Sequence, residues 1–186
     1  MFEQKNRENM FPHQTFNPFF TTKRIEEIES TMRSENFSWF FQPKTVVGDD
    51  APEHDCWWLS HKFINEGEDS SEFASLARSI ISDFSEKTGI EFSKIIRAQA
   101  GLTYNDGTKN ITPSHLDDDR KHVVLIYYVN NSDGDTLLYH GESGEVLTNV
   151  TPQAGKFALF DGATWHSGTL PIVNNDRMII NFNLEY

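Results

Sequence analysis

From residue 92 onward the chain is a succession of short β-type runs with no helical pattern between them. The runs are Phe92 to Ala98, His122 to Val129, Asp135 to His140, Glu145 to Val150, Lys156 to Asp161 and Arg177 to Glu185. Turn residues punctuate them: Asn105-Asp106-Gly107, Asn131-Ser132-Asp133-Gly134, Gly141 to Gly144, Pro152 to Gly155 and Asn174-Asn175-Asp176. Strands at this spacing close into a sandwich or barrel. They exclude a parallel α/β sheet, which needs a crossover helix between successive strands.

The first half carries helical signals instead. Thr22 is placed to cap a helix holding Ile25, Ile28 and Met32, with Glu26 and Glu27 in its first turn. Phe73, Leu76, Ala77, Ile80, Ile81 and Phe84 fall on one helical face, with Asp69 and Glu72 at capping-box spacing and Gly89 as the stop. Phe37 to Gln42 and Cys56 to Ile64 read as strands or aromatic core segments. The expectation is a mainly β fold with α: a jelly-roll core from about residue 92, and an N-terminal helical layer packed on one sheet. With domains of roughly 150 residues, a chain of 186 is expected to make one, about 1–91 for helices and extra strands and about 92–186 for the core.

The charge balance limits the partners. A net charge of −12 repels polyanions, so neither nucleic acid nor an anionic membrane is an expected partner. Aromatic residues make up 13% of the chain, enough to supply a folded core. The single cysteine, Cys56, has no intrachain partner and stands beside Trp57 and Trp58, as a small buried hydrophobe does. Met1 to Gln14 contains no apolar stretch, and Val123 to Val129, the longest apolar run, is a strand's length. A soluble, cytoplasmic protein is expected.

Of seven histidines, His13, His54, His61, His122 and His140 have surroundings that suggest no chemistry. His115-Leu116-Asp117 places an imidazole and a carboxylate on one side of an extended segment, where both can reach one metal ion. The His-x-Asp pattern alone is weak, since chance supplies about half a match in a chain of this composition. It gains weight from His166, in Phe160-Asp-Gly-Ala-Thr-Trp-His-Ser-Gly168, and from Arg177 at the start of the last strand. Two imidazoles and one carboxylate on one face of an octahedron leave three adjacent positions open, as in non-haem Fe(II) oxygenases. A fixed guanidinium nearby offers a clamp for an organic carboxylate.

On these residues the chain resembles the 2-oxoglutarate/Fe(II)-dependent oxygenases, specifically their prolyl-4-hydroxylase-like catalytic domain, over roughly Phe92 to Tyr186. Ile126-Tyr-Tyr-Val-Asn130, Gly134-Asp-Thr-Leu137 and Pro152-Gln-Ala-Gly-Lys-Phe-Ala-Leu-Phe160 support the resemblance. It implies a double-stranded β-helix in which His115, Asp117 and His166 are the catalytic Fe(II) ligands. It also implies 2-oxoglutarate and O2 as co-substrates, with Arg177 and Tyr128 on the distal carboxylate of 2-oxoglutarate and Tyr104 near the place of a further pocket tyrosine. Related halogenases lack the carboxylate ligand, so Asp117 favours hydroxylation of an unactivated carbon. The phrases favour a prolyl residue of a peptide or protein, with a small metabolite or free amino acid as the alternative. Gly134-Asp135-Thr136 replaces a more usual Gly-Gly-Glu-like turn, an alteration expected only to change a loop.

Strand parity agrees. If Arg177 points inward, Ile179, Asn181 and Asn183 share its face, and Met178, Ile180, Phe182 and Leu184 form an apolar outer face for the helices. Asp118 and Asp119 are expected in solvent or behind the ligands, Tyr127 in the core and Trp165 near the cleft mouth. A non-catalytic cupin or lectin-like metal-binding module explains the strands and histidines but gives Arg177 and Tyr128 no task. A nucleic-acid demethylase is disfavoured by the net charge.

Overall fold

Val123–Tyr128 (β6) is buried at every residue, so its sequence shows no polar alternation: a packed layer covers each face. In the computed structural model, which describes residues 12–45, 56–104, 111–141 and 144–186, β6 lies inside a large antiparallel sheet. On one side of it stand β9 (Phe157–Asp161) and β1 (Gln14–Phe16). On the other stand β11 (Asp176–Glu185), β5 (Lys94–Tyr104), β3 (Trp58–Asn65) and β2 (Phe40–Gln42), with the short β4 (Glu68–Asp69) on β3. The second sheet is β10 (His166–Gly168), β7 (Thr136–Tyr139) and β8 (Val146–Val150). Residues 111–115 run beside β10 through bridges at Ile111–Thr169 and His115–His166.

From β5 onward the chain passes back and forth between the two sheets, which is the double-stranded β-helix. Its interior is lined from β6 by Val124, Ile126 and Tyr128 and from the adjacent β9 by Ala158 and Phe160, facing Leu138 and Val150 of the second sheet. The alternate residues Val123, Leu125 and Tyr127 face the helices, as period-two parity requires. Met178, Ile180, Phe182 and Leu184 of β11 lie on that same helix-facing side, packed with Ile28, Met32, Ala77, Ile80 and Phe84. The helical layer is α1 (Thr22–Met32) and α2 (Ala74–Thr88).

Several local expectations are corrected. Thr21, not Thr22, caps α1, its hydroxyl accepting the Arg24 N–H, and no acidic residue stands in the first turn. Asp69 and Glu72 form no capping box at α2: Asp69 is held in β4 and paired with Arg78, while the Ser71 hydroxyl accepts the Phe73 N–H. Gly89 does end α2, in the left-handed conformation at φ 73°. Phe37 to Gln42 and Cys56 to Ile64 hold strands β2 and β3, which with β1 extend the large sheet at both edges. Strand β10, three residues long, is below what periodicity can detect. The Asn105-Asp106-Gly107 turn, His54, residues 1–11 and part of the Gly141 to Gly144 turn lie outside the described residues.

Candidate active site

The two histidines of the motif are brought face to face by backbone pairing. His115 N–H donates to the His166 carbonyl at 2.9 Å, and His166 N–H to the His115 carbonyl at 3.1 Å. Paired antiparallel residues project side chains to the same side, so the ring centroids lie 4.6 Å apart. Each Nδ1 sits 3.1 Å from a backbone carbonyl, Pro113 for His115 and Thr164 for His166. A carbonyl only accepts, so each Nδ1 donates there, and in the neutral ring this leaves the Nε2 lone pair for a metal. Both lone pairs face Asp117, with Nε2 to carboxylate distances of 3.9 Å from His115 and 3.7 Å from His166.

The potential ligand atoms of His115, Asp117 and His166 lie within 4.8 Å of one another, a spacing that one ion can span. Burial pushes the His166 imidazole down to about 4, which keeps it neutral and able to ligate. For Asp117 burial works to raise the pKa, but the Arg97 guanidinium and the Asn181 amide work against it. Its carboxyl is held well below the usual carboxylate range. Arg97 donates to Asp117 Oδ1 at 2.7 Å, and Asn181 and Asn183 donate to Oδ2 at 2.8 and 3.0 Å.

Arg177 lies on the same interior face and is buried to 6% exposure. Its Nε donates to the Gly134 carbonyl and its guanidinium NH2 to Thr136 Oγ1, both at 2.7 Å. Among the described residues no carboxylate forms an ion pair with it, and burial lowers its pKa. A buried guanidinium without a counter-ion costs several kcal/mol. Tyr128 is buried beside it and donates its O–H to the same Thr136 Oγ1 at 2.9 Å; burial pushes that hydroxyl up to about 12.

The turn at Gly134 is therefore not a mere loop alteration, because it supplies two acceptors for Arg177. Its neighbour Asp133 takes the N–H groups of Ile172, Val173 and Asn174 at 2.8 to 3.0 Å, fixing the loop that leads into β11. A side chain at 134 has no room. A Cβ there would lie 2.7 Å from the Thr169 carbonyl oxygen and 2.8 Å from Arg177 Cδ. Gly134→Ala is expected to lower stability by about 1–3 kcal/mol, the usual range for overpacking, measured by urea unfolding.

Tyr104 is not where the sequence placed it. On β5, Arg97, Gln99, Gly101 and Thr103 face the interior, whereas Tyr104 packs with the helix-side core and lies near Trp57 at 6.3 Å. The residue at the pocket is Thr103, paired in register with Arg177, and its buried hydroxyl has no hydrogen-bond partner among the described residues. Arg97, Thr103 and Thr136 were missed as site residues. The alternation of Arg97, Gln99, Gly101 and Thr103 with Ala98, Ala100 and Leu102 was the available signal. Triad, Arg177, Thr103 and Thr136 share one cavity of about 790 Å³ with Lys62, Gln99 and Asn181. His61 lies in its outer wall, bonded to the Ser38 carbonyl and the Ser71 hydroxyl. Asp118 is tied to Arg120, which also clamps Glu66 at 2.7 Å.

No protein-family model matches the chain, and no curated protein does. Solved structures share its fold. A Pseudomonas putida prolyl-4-hydroxylase is 14% identical, with 94% of this chain and 92% of that one aligned at a TM-score of 0.58. A Burkholderia pseudomallei oxidoreductase of the 2OG-Fe(II) oxygenase family is 12% identical over 93% and 84%, at 0.65. The epimerase SnoN, in complex with Fe3+, alpha ketoglutarate and nogalamycin RO, is 10% identical over 93% and 78%, at 0.60.

Proposed function

We propose that the chain is an Fe(II)- and 2-oxoglutarate-dependent oxygenase that hydroxylates an unactivated carbon. One observation carries this reading: the guanidinium of Arg177, buried and without an ion-pair partner among the described residues, shares a cavity wall with a two-imidazole, one-carboxylate cluster. The donor set suits Fe(II), because two neutral imidazoles and a carboxylate on one face leave coordination positions for a chelating co-substrate. The pocket suits 2-oxoglutarate, because a carboxylate set against Arg177 supplies the missing counter-charge and gives the unpartnered Thr103 hydroxyl an acceptor. Its fold neighbours include proteins named for this cofactor pair.

Bound iron and 2-oxoglutarate supply oxidative decarboxylation with O2 and insertion of oxygen into a C–H bond. The chain's own residues do the positioning. His115 and His166 are held as Nε2 donors by their carbonyl-bound Nδ1 protons. Arg97, Asn181 and Asn183 fix the plane of the Asp117 carboxylate, and each bond leaves it ionised for the metal. Arg177 is set by Gly134 and Thr136 so that only its outer N–H groups remain for a ligand. Ile126 and Ile179 give the cavity apolar surface that excludes water beside the reacting groups.

A prolyl ring carbon is the target the sequence resemblance implies. The test is release of succinate and CO2 from 2-oxoglutarate by purified protein in air. Iron-dependent release, abolished by chelation, is the expected result; no release above a protein-free control would sink the reading.

A further inference from the structure

The outer half of the same cavity carries donors that neither the metal cluster nor Arg177 uses. Lys62 on β3 and Gln99 on β5 are directly paired in register, and Gln99 is paired in turn with Asn181 on β11. Arg97 stands two residues from Gln99 on the same face of β5. Among the described residues Lys62 forms no ion pair, and the Gln99 carboxamide has no hydrogen-bond partner. Arg97 spends one terminal nitrogen on Asp117, and its buried Nε–H has no acceptor. Lys62, Gln99 and the part-exposed guanidinium of Arg97, two of them cationic, therefore border one patch of cavity wall.

Charge points the same way. Among the described residues, Lys62, Arg97 and Arg177 line the cavity against Asp117 and Glu72, a local positive excess in a chain whose net charge is −12. In the oxygenase reading 2-oxoglutarate answers Arg177 and the metal, which leaves the Lys62 side of the cavity without an anion. Lys62 and Asn181 are two strands apart, about 10 Å along the sheet, and Asn181 bonds Asp117. An anion at Lys62 is thus within a small molecule's length of the metal cluster.

We propose that Lys62, Gln99 and the part-exposed guanidinium of Arg97 form a subsite for the carboxylate of a small anionic substrate, an inference that rests on the oxygenase reading. A carboxylate fits the donor set: a planar pair of oxygens can take Lys62 and Gln99 on one side and Arg97 on the other. Lys62 is a specificity residue in this account. Being exposed, it contributes less than a buried ion pair does.

The test is equilibrium binding by calorimetry to the Mn(II)- and 2-oxoglutarate-loaded protein, without O2. The probes are the common L-amino acids, each acid against its amide, with N-acetylated and C-amidated proline peptide as the uncharged control. At least one free acid is expected to bind about 10-fold tighter than its amide. Lys62→Gln should weaken that acid about 3- to 5-fold and Lys62→Arg restore it, with 2-oxoglutarate affinity unchanged in both. Equal binding of acid and amide, binding of the capped peptide insensitive to Lys62→Gln, or no acid bound at all overturns the proposal. Failure of the oxygenase reading is a separate result, seen as loss of 2-oxoglutarate binding itself.

Discussion

Arg177→Met is expected to weaken 2-oxoglutarate binding by about 100-fold or more while moving the unfolding midpoint little. The affinity estimate follows from breaking a buried, hydrogen-bonded charge pair, worth about 3–5 kcal/mol, at 1.4 kcal/mol per tenfold. The stability estimate follows from two opposed effects. Methionine removes a buried charge that has no ion-pair partner among the described residues, a favourable change. It also strands the Gly134 carbonyl and the Thr136 hydroxyl, at about 1–3 kcal/mol for each group left unsatisfied. The two effects offset, so an arginine serving the fold and an arginine serving a ligand give different results. Calorimetric titration with 2-oxoglutarate beside urea unfolding separates them. Unchanged affinity with a large loss of stability contradicts the assignment.

Asp117→Asn is expected to lower Fe(II) affinity by more than about 100-fold and to remove turnover with it. Hydrogen-bond partners of metal ligands are alone worth about 10–100-fold, so a direct anionic ligand exceeds that range. The substitution keeps the size of the side chain but leaves Arg97 without its ion-pair partner and sets an amide N–H against Asn181 or Asn183 donors. A stability loss is therefore expected as well. Metal content of folded protein after dialysis is the decisive reading, and full iron occupancy in the variant would remove Asp117 from the ligand set.

Much of this site was legible because its residues obey simple spacing. His115 and Asp117 are two apart on an extended segment, and β11 alternates Arg177, Ile179, Asn181 and Asn183 with four apolar residues. The structure places both sets on the cavity side and the apolar set under the helices. What escaped lies in side chains whose role depends on partners far along the chain. Arg97 looks like an ordinary strand residue until register sets it beside Asn183 and within reach of Asp117. Thr136 gains its importance only because Tyr128 and Arg177 both end on its hydroxyl.

Tyr104 failed for a related reason. Its assignment followed position in a family pattern, whereas β5 parity turns Thr103 inward and Tyr104 outward. Caps were misread by one residue at α1, where Thr21 and Thr22 offer equal chemistry and the chain's entry direction decides between them. The early edge strand β1, three residues long, has too little sequence to show alternation, and the equally short β2 showed only as part of the aromatic run Phe37 to Gln42. Their place in the sheet is set by pairing with β9 and β3.

The central claim is that one cavity holds Fe(II) on His115, Asp117 and His166 with 2-oxoglutarate chelating it and anchored by Arg177. Anaerobic addition of 2-oxoglutarate to the Fe(II)-loaded protein, followed by visible absorption, tests it most directly. The account predicts a charge-transfer band that saturates at one equivalent of each component and is lost in Arg177→Met at the same concentrations. Absence of the band with both components saturating would contradict it.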